Sequence, residues 1–428
     1  MKMFFSNLAL HSLVNNRRQY ISLFTVCVVG ISIMLSAVWI TDGMLNAVED
    51  KARIYYGGDL VFMGGINEEN MENSSEKMAV IKSLVPKYTI LSSRIEFDAR
   101  RTQIFFEGTG VRQRMFKGVD FDDEKLLLSR LNFVEGGVKS LPEHNSMIIS
   151  EPIARQLGVK AGDSVILQVK TDQGYMNTMD MYISGIFMDS SLFGMYTAYL
   201  DIRALRFLSG RREDFVNRIC MYFPSKTLSK DAIHKLQEAL ETEFFMYPLT
   251  DDKLEFAHTA EKQEKQMYAL ITLDANIKDL QVLIEALKVV VLLVIVVLVA
   301  IISVGMGSTY RITVMKRITE IGTYRAIGMK PAGIRNIFFV EALYLLIAGF
   351  FVGVVLSFGI TFVLSLFDFS FIPAFDMFLM EGRLLPAIKI LKSLGLFLII
   401  AVTTILSMLF TIRNVVHISP VSALATTS

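Results

Sequence analysis

Six basic residues, Arg311, Lys316, Arg317, Arg325, Lys330 and Arg335, stand against one acid, Glu320, in the polar stretch RITVMKRITEIGTYRAIGMKPAGIRN. It fills residues 311 to 336, between two long apolar runs. The chemistry open to such a set is electrostatic: ion pairing, docking on a partner, or retention of a loop on the cytoplasmic side by the bias of basic residues toward that side. Bond-making constellations are missing elsewhere too. His11, His144, His234, His258 and His417 are scattered, no H-E-x-x-H or G-x-S-x-G occurs, and no Cys/His spacing suits a metal. Without a Gly-Lys dipeptide the sequence cannot supply a phosphate-cradling G-x-x-x-x-G-K-[ST] loop, so any ATP-driven role needs a separate ATPase.

Within the basic stretch the sequence predicts a short helix. Ile318 and Ile321 lie three apart with Ile327 closing the run, Lys316 and Glu320 are spaced to pair on the wet side, Gly328 suits a left-handed cap and Pro331 stops continuation. Such a helix either sits in a partner's groove or is a solvated topology loop. The order R-x-x-E-I-G-x-x-R-A-I-G, Arg317 to Gly328, followed by a Gly-rich apolar span containing Phe and Glu, resembles the FtsX-like permease family. In that family the segment is a coupling helix on an ATP-binding-cassette ATPase. The resemblance therefore implies ATPase-coupling roles for Arg317, Glu320, Ile321, Tyr324, Arg325, Ile327 and Gly328. It places ATP and magnesium on the partner ATPase and no cofactor on this chain.

The surrounding elements follow from composition. The chain has 428 residues, is 52% hydrophobic and has a mean hydropathy of +0.45, which is too apolar for an ordinary soluble protein. Four stretches reach the roughly 20 apolar residues that a membrane helix needs. The expected layout is an amphipathic helix at 1–19, spans at 20–42, 286–308, 337–365 and 393–412, an outer domain at 43–285, the basic loop at 309–336, a short outer loop at 366–392 and a tail at 413–428, with the permease domain at 286–420. Residues 43–285 hold 29 Lys/Arg against 36 Asp/Glu, and the rest 14 against 6. Ten of those 14 basic residues (Lys2, Arg17, Arg18, the six of the loop and Arg413) fall on segments assigned inside, so both termini are expected in the cytoplasm and the acidic block outside. An acidic block leaves nucleic-acid binding without support.

Along the block, no breaker follows Trp39 until Gly57-Gly58, so the first span is expected to continue outward as a stalk to Tyr56. Short strands then mix with helices: DLVFM, MIISE, VILQV, MDMYISGIF, YTAYL and RICMYF read as strands, PIARQL and Lys230 to Phe245 as helices. This is an α+β domain large enough for two lobes. Residues 252–285, free of Gly and Pro, are expected to form a second stalk with Met267, Leu270, Ile271, Leu280 and Ile284 as its apolar stripe, packed on the first. Cys27 and Cys220 are expected to stay unpaired. Gly349 and Gly353 permit close helix packing, between chains or within one. Glu341 is expected to be interfacial, stabilised by its helix N-terminus.

The wording SEPIARQLGVKAGDSVIL, with the earlier KGVDF, resembles the periplasmic core domain of MacB and of the lipoprotein-releasing permeases of the LolC/LolE type. What the resemblance implies is a type VII ABC-transporter architecture in a bacterial inner membrane, with four transmembrane helices and a large periplasmic domain between spans 1 and 2. Implied partners are an ABC ATPase, a second permease chain (a copy or a paralogue), membrane lipid, a lipoprotein substrate and a periplasmic carrier. Substrate contact is expected near Val38, Asp42 and Gly43. A MacB-like exporter of peptides or small molecules and an FtsX-like signalling permease acting on cell-wall hydrolases are the alternatives. The tail HISPVSALATTS resembles the family's P-x-E-A-L-R ending, with Ser422 and Ala425 in place of its charges.

Overall fold

The computed structural model describes residues 9–415 except 10, 16, 66–70, 72, 88, 99–101, 113–114, 139–144, 172, 189–196 and 224–227. Phe4 and Leu8 of the expected amphipathic helix, and the tail from 416 onward, lie outside the described residues. Among the described residues four helices are long and apolar enough to cross a membrane: Arg17–Tyr56, Lys278–Lys316, Pro331–Leu366 and Ile390–Val415. We call them span helices 1 to 4. Each outruns the apolar window that suggested it, because helical hydrogen bonding continues until the backbone is interrupted. Helix 1 stops where Gly57 adopts a φ of +95° and its N–H returns to the Arg53 carbonyl. Helix 3 begins at Pro331 itself, whose missing N–H costs nothing in a first turn.

The chain divides into two compact units: Met1–Gly43, Glu285–Phe367 and Pro386–Ser428 form one, Met44–Ile284 and Asp368–Leu385 the other. In the first, a core of Leu23, Cys27, Ile31, Leu35, Tyr310 and Phe338, among others, is buried between the four span helices. Polar threads cross it. Ser357 donates to the Ser32 carbonyl at 2.9 Å, Tyr310 to the Phe338 carbonyl at 2.8 Å, and the Trp39 indole to Ser393 at 2.9 Å. In an apolar surround such bonds have no water to compete with them.

The second unit is α+β. Its strands are Leu60–Gly65 (β1), Ile90–Asp98 (β2), Thr102–Phe106 (β3), Thr109–Arg112 (β4), Met115–Val119 (β5), Phe133–Gly136 (β6), Ser146–Ser150 (β7), Ser164–Lys170 (β8), Met176–Phe187 (β9), Thr197–Asp201 (β10), Arg218–Tyr222 (β11) and Met267–Thr272 (β12). They form one sheet in the order β12-β1-β11-β2-β5-β10-β7-β9-β8-β3-β4, with β6 on β9. All of these strands are joined by hydrogen bonds in one sheet, β6 as a branch, so the expected two lobes share it. Period two sorts the faces: Ile95, Phe116, Ile219 and Met221 enter the main apolar core, while Arg94, Glu96, Lys117 and Arg218 emerge on the other side.

Those charges are buried and paired. Arg94 and Glu124 are fully enclosed and meet at 2.6 Å, and Glu96 lies 2.8 Å from Arg218 and 3.2 Å from Lys117. Arg94 also donates to the Tyr55 carbonyl at 3.2 Å, and Lys117 donates to the same oxygen. Two buried cations thus cap the last turn of span helix 1, where the helix dipole is negative.

The second stalk does not form. Residues 252–285 break into a helix Lys253–Ala260, strand β12, a single turn Leu273–Asn276 and only then span helix 2. Met267, Leu270 and Ile271 sit in β12, where Ile271 pairs with Val61 and Leu270 with Phe62. A six-residue apolar run suits either a strand or a helix, and the free edge of β1 decides it.

A basic segment tied to two span helices

Span helix 2 ends at Lys316, and a separate helix, Ile318–Ala326, follows before Pro331 opens span helix 3. Arg317 forms the joint. Its backbone leaves helical geometry (φ −107°, ψ 22°), and its side chain turns inward, so the residue is only 2% exposed. The short helix ends at Ala326, one residue before the expected Ile327, and Gly328 takes the left-handed conformation (φ +96°) that only glycine adopts without strain.

The centre of the site is a buried ionic node. Arg317 Nη1 lies 2.9 Å from Glu341 Oε2 on span helix 3 and 2.6 Å from the Tyr20 hydroxyl on span helix 1. Tyr20 donates to the same Glu341 oxygen at 2.6 Å, closing a triangle, and Arg317 Nε donates to Glu320 at 2.8 Å. The Arg317 guanidinium also lies over the Phe338 ring, 5.0 Å from its centroid. Burial works against the charge of Arg317, but Glu341, Tyr20 and Glu320 outweigh it and hold its pKa above the ordinary value. A carboxylate that is 0% exposed is tolerable here because donors saturate it.

This geometry corrects several expectations. Glu341 is not an interfacial residue resting on its helix N-terminus: it is enclosed and paired with Arg317. Glu320 pairs with Arg317, three residues away, and not with Lys316, because the joint at Arg317 breaks the register that would bring Lys316 above it. Arg317 and Ile321, each 2% exposed, face the bundle and offer no docking surface in this conformation. Ile327, at 80% exposure, is the most exposed large apolar side chain of the segment, ahead of Ile312 and Met315; Gly328 and Lys330 are exposed beside it, and Tyr324 and Arg325 are half-buried.

The other expected positions also turn inward. Val38 is 1% exposed in the span core, Gly43 is buried, and Asp42 is buried and paired with Lys392 at 2.6 Å. The Val38 and Asp42 side chains are not presented to solvent. Gly349 and Gly353 pack within the chain, against Cys27 and Ile31 of span helix 1. Cys27 and Cys220 are free and buried. Burial pushes the Cys220 thiol up to about 12, which keeps it protonated and unreactive. Sequence reasoning missed Tyr20 altogether, since a tyrosine at the start of an apolar run looks like an interfacial anchor.

Comparison with known proteins agrees with the segment's outline. Residues 291–420 match the family described as FtsX-like permease C-terminal. A curated relative, the ABC transporter permease YtrF of Bacillus subtilis, is 34% identical over 64 residues, which is 15% of each chain. Among solved structures, the periplasmic region of MacB from Actinobacillus actinomycetemcomitans overlaps 52% of this chain and 92% of its own, at 11% identity and a TM-score of 0.32. A domain of a Porphyromonas gingivalis permease protein overlaps 50% of this chain and 87% of its own, at 14% identity and a TM-score of 0.29.

Proposed function

On the premise that residues 291–420 form an FtsX-like permease domain, we propose that the chain is the permease subunit of an ATP-binding-cassette complex in a bacterial inner membrane. A partner ATPase docks on the segment 311–336 from the cytoplasm. The observation that carries this is the joint at Arg317: a short helix displaying Ile327 is tied through one guanidinium to span helices 1 and 3 at once. A push on that helix reaches both spans without slack, because a saturated buried ion pair has few alternative arrangements. A second permease chain completes the unit. For cargo we propose lipoproteins drawn from the outer leaflet and passed to a periplasmic carrier, a reading that rests on the likeness of residues 150–167 to the lipoprotein-releasing permeases.

The docking contact is tested by co-purification of a co-expressed ABC ATPase from the same organism that the wild-type chain retains. Ile327→Asp replaces an exposed apolar side chain that the fold does not use, so expression and thermal stability should stay at wild-type level. Recovery of the ATPase should drop, since losing an interface anchor typically costs about 2 kcal/mol or more. Full recovery of the ATPase with Ile327→Asp and with a second, bulkier change at Gly328 would remove the docking assignment.

A further inference from the structure

A groove of about 580 Å³ opens between span helices 1 and 3. Ile21 and Phe24 line it from one helix, Leu345, Ala348 and Phe351 from the other, and Arg17 borders it. Arg17, Ile21 and Phe24 recur at four and three residues, and Leu345, Ala348 and Phe351 at three, so each set shares one helix face. The same two helices touch through buried residues, Gly349 against Cys27 and Tyr20 against Glu341, whereas Ile21, Ala348 and Phe351 are exposed. On a span helix an exposed apolar surface faces hydrocarbon. An unfilled groove there would deprive its walls of dispersion contacts on one side, and a flexible apolar chain restores them.

Charge narrows the occupant. Arg17 and the adjacent Arg18 are exposed, and among the described residues neither has an ion-pair partner. No acid precedes Asp42 in the sequence, and the single acid of span helix 3, Glu341, is enclosed and held by Arg317. The groove is therefore apolar along its walls and cationic at its Arg17 end, three residues before Tyr20. A long basic side chain in that position lays its stem along apolar surface and its charge in the interface.

We propose that the groove is a site for an anionic phospholipid. One acyl chain lies along Ile21, Phe24, Ala348 and Phe351, and the headgroup phosphate, outside the apolar walls, accepts from the Arg17 guanidinium. A zwitterionic lipid carries its own ammonium and gains less from Arg17. Tyr20 also lines the groove, so the chain backs the ring whose hydroxyl meets both Arg317 and Glu341. The proposal rests on the four spans and not on the ATPase or the cargo.

Palmitoyl-oleoyl phosphatidylglycerol is the probe and palmitoyl-oleoyl phosphatidylcholine its zwitterionic match, each titrated into the full chain in detergent and counted as bound lipid by native mass spectrometry. Saturable binding of phosphatidylglycerol is expected, about fivefold tighter than phosphatidylcholine, the factor that one basic residue beside an anionic lipid supplies. Arg17→Gln should erase the preference, while Arg18→Gln, whose site does not line the groove, should leave most of it. Ala348→Trp fills the groove at an exposed position, keeps both arginines, and should remove the site with the unfolding temperature of the lipid-free chain unchanged. Equal affinity for the two lipids, equal loss from the two arginine changes, unaltered phosphatidylglycerol binding by Ala348→Trp, or no saturable binding would each overturn the proposal.

Discussion

Arg317, at the joint between two helices, and Glu341, 24 residues on in span helix 3, bring their side chains to 2.9 Å in the interior of the helical unit. The pair ties the joint at which span helix 2 breaks to span helix 3.

Removing one partner should do more harm than removing both. Arg317→Leu leaves the enclosed Glu341 carboxylate without a counter-charge and is expected to cost roughly 3–5 kcal/mol, lowering yield and melting temperature sharply; Glu341→Leu leaves the guanidinium only the part-exposed Glu320 as a counter-charge and should cost somewhat less. The double replacement should recover most of that loss while uncoupling the segment. Tyr20→Phe, which removes one hydroxyl, should cost about 1 kcal/mol. A thermal-unfolding cycle over these four variants measures the coupling, and additive losses would show that the node is not a unit.

How much of this was legible beforehand depended on distance along the chain. Gly57-Gly58 as a stop, Pro331 as a start, and the period-two run Val165 to Val169 are local signals, and the elements formed where they lay. β12 was misread because Met267–Thr272 takes its conformation from β1, some 200 residues upstream, and no local feature distinguishes strand from stalk there. The node was invisible for the same reason. Spacing alone pairs Lys316 with Glu320, whereas the fold breaks the helix at Arg317 and delivers Tyr20 from 297 residues away.

The sidedness expected from the charge asymmetry is tested by labelling. A cysteine placed at Asn73, exposed in the sheet unit, should react with an impermeant maleimide applied from outside to intact cells. One at Thr323, exposed on the short helix Ile318–Ala326, should react only after permeabilisation. Cys27 and Cys220 are buried and should contribute little background. The reverse pattern would invert the topology and with it the docking side.

The sheet unit should be acid-sensitive through Glu96. Burial alone would raise its pKa, but Arg218 and Lys117 beside it pull the value well below the ordinary carboxylate range. A folded-state pKa below the unfolded one means that the stabilisation is present above about pH 4.3, the ordinary glutamate value, and is lost as pH falls further and the carboxylate is protonated. Melting temperature measured from pH 7 down to pH 3 should therefore fall in the acid range, and Glu96→Gln should be less stable at neutral pH with a flatter acid limb. An unchanged limb would mean that other carboxylates carry the effect.

Span helices 1 and 3 are held at their distance by two glycines. A Cβ on Gly349 would lie 2.6 Å from Cys27 Sγ, and one on Gly353 would lie 2.9 Å from Ile31 Cγ2 with the Val28 carbonyl at 3.4 Å behind it. Gly359, one turn and a half further along the same helix, has nothing within 4 Å of its Cβ position. Valine at all three sites carries the same propensity change, so differences between them report packing alone. Gly353→Val should be the most damaging, because backbone stands behind the displaced side chain; overpacking of this kind costs about 1–3 kcal/mol. Gly349→Val should be milder, since the Cys27 side chain can turn aside, and Cys27→Ala should partly rescue it. Gly359→Val should be close to neutral. Melting temperatures in one detergent rank the three, and if Gly359→Val proved as harmful as Gly353→Val, these glycines would be serving an interface between chains and not the contact between spans 1 and 3.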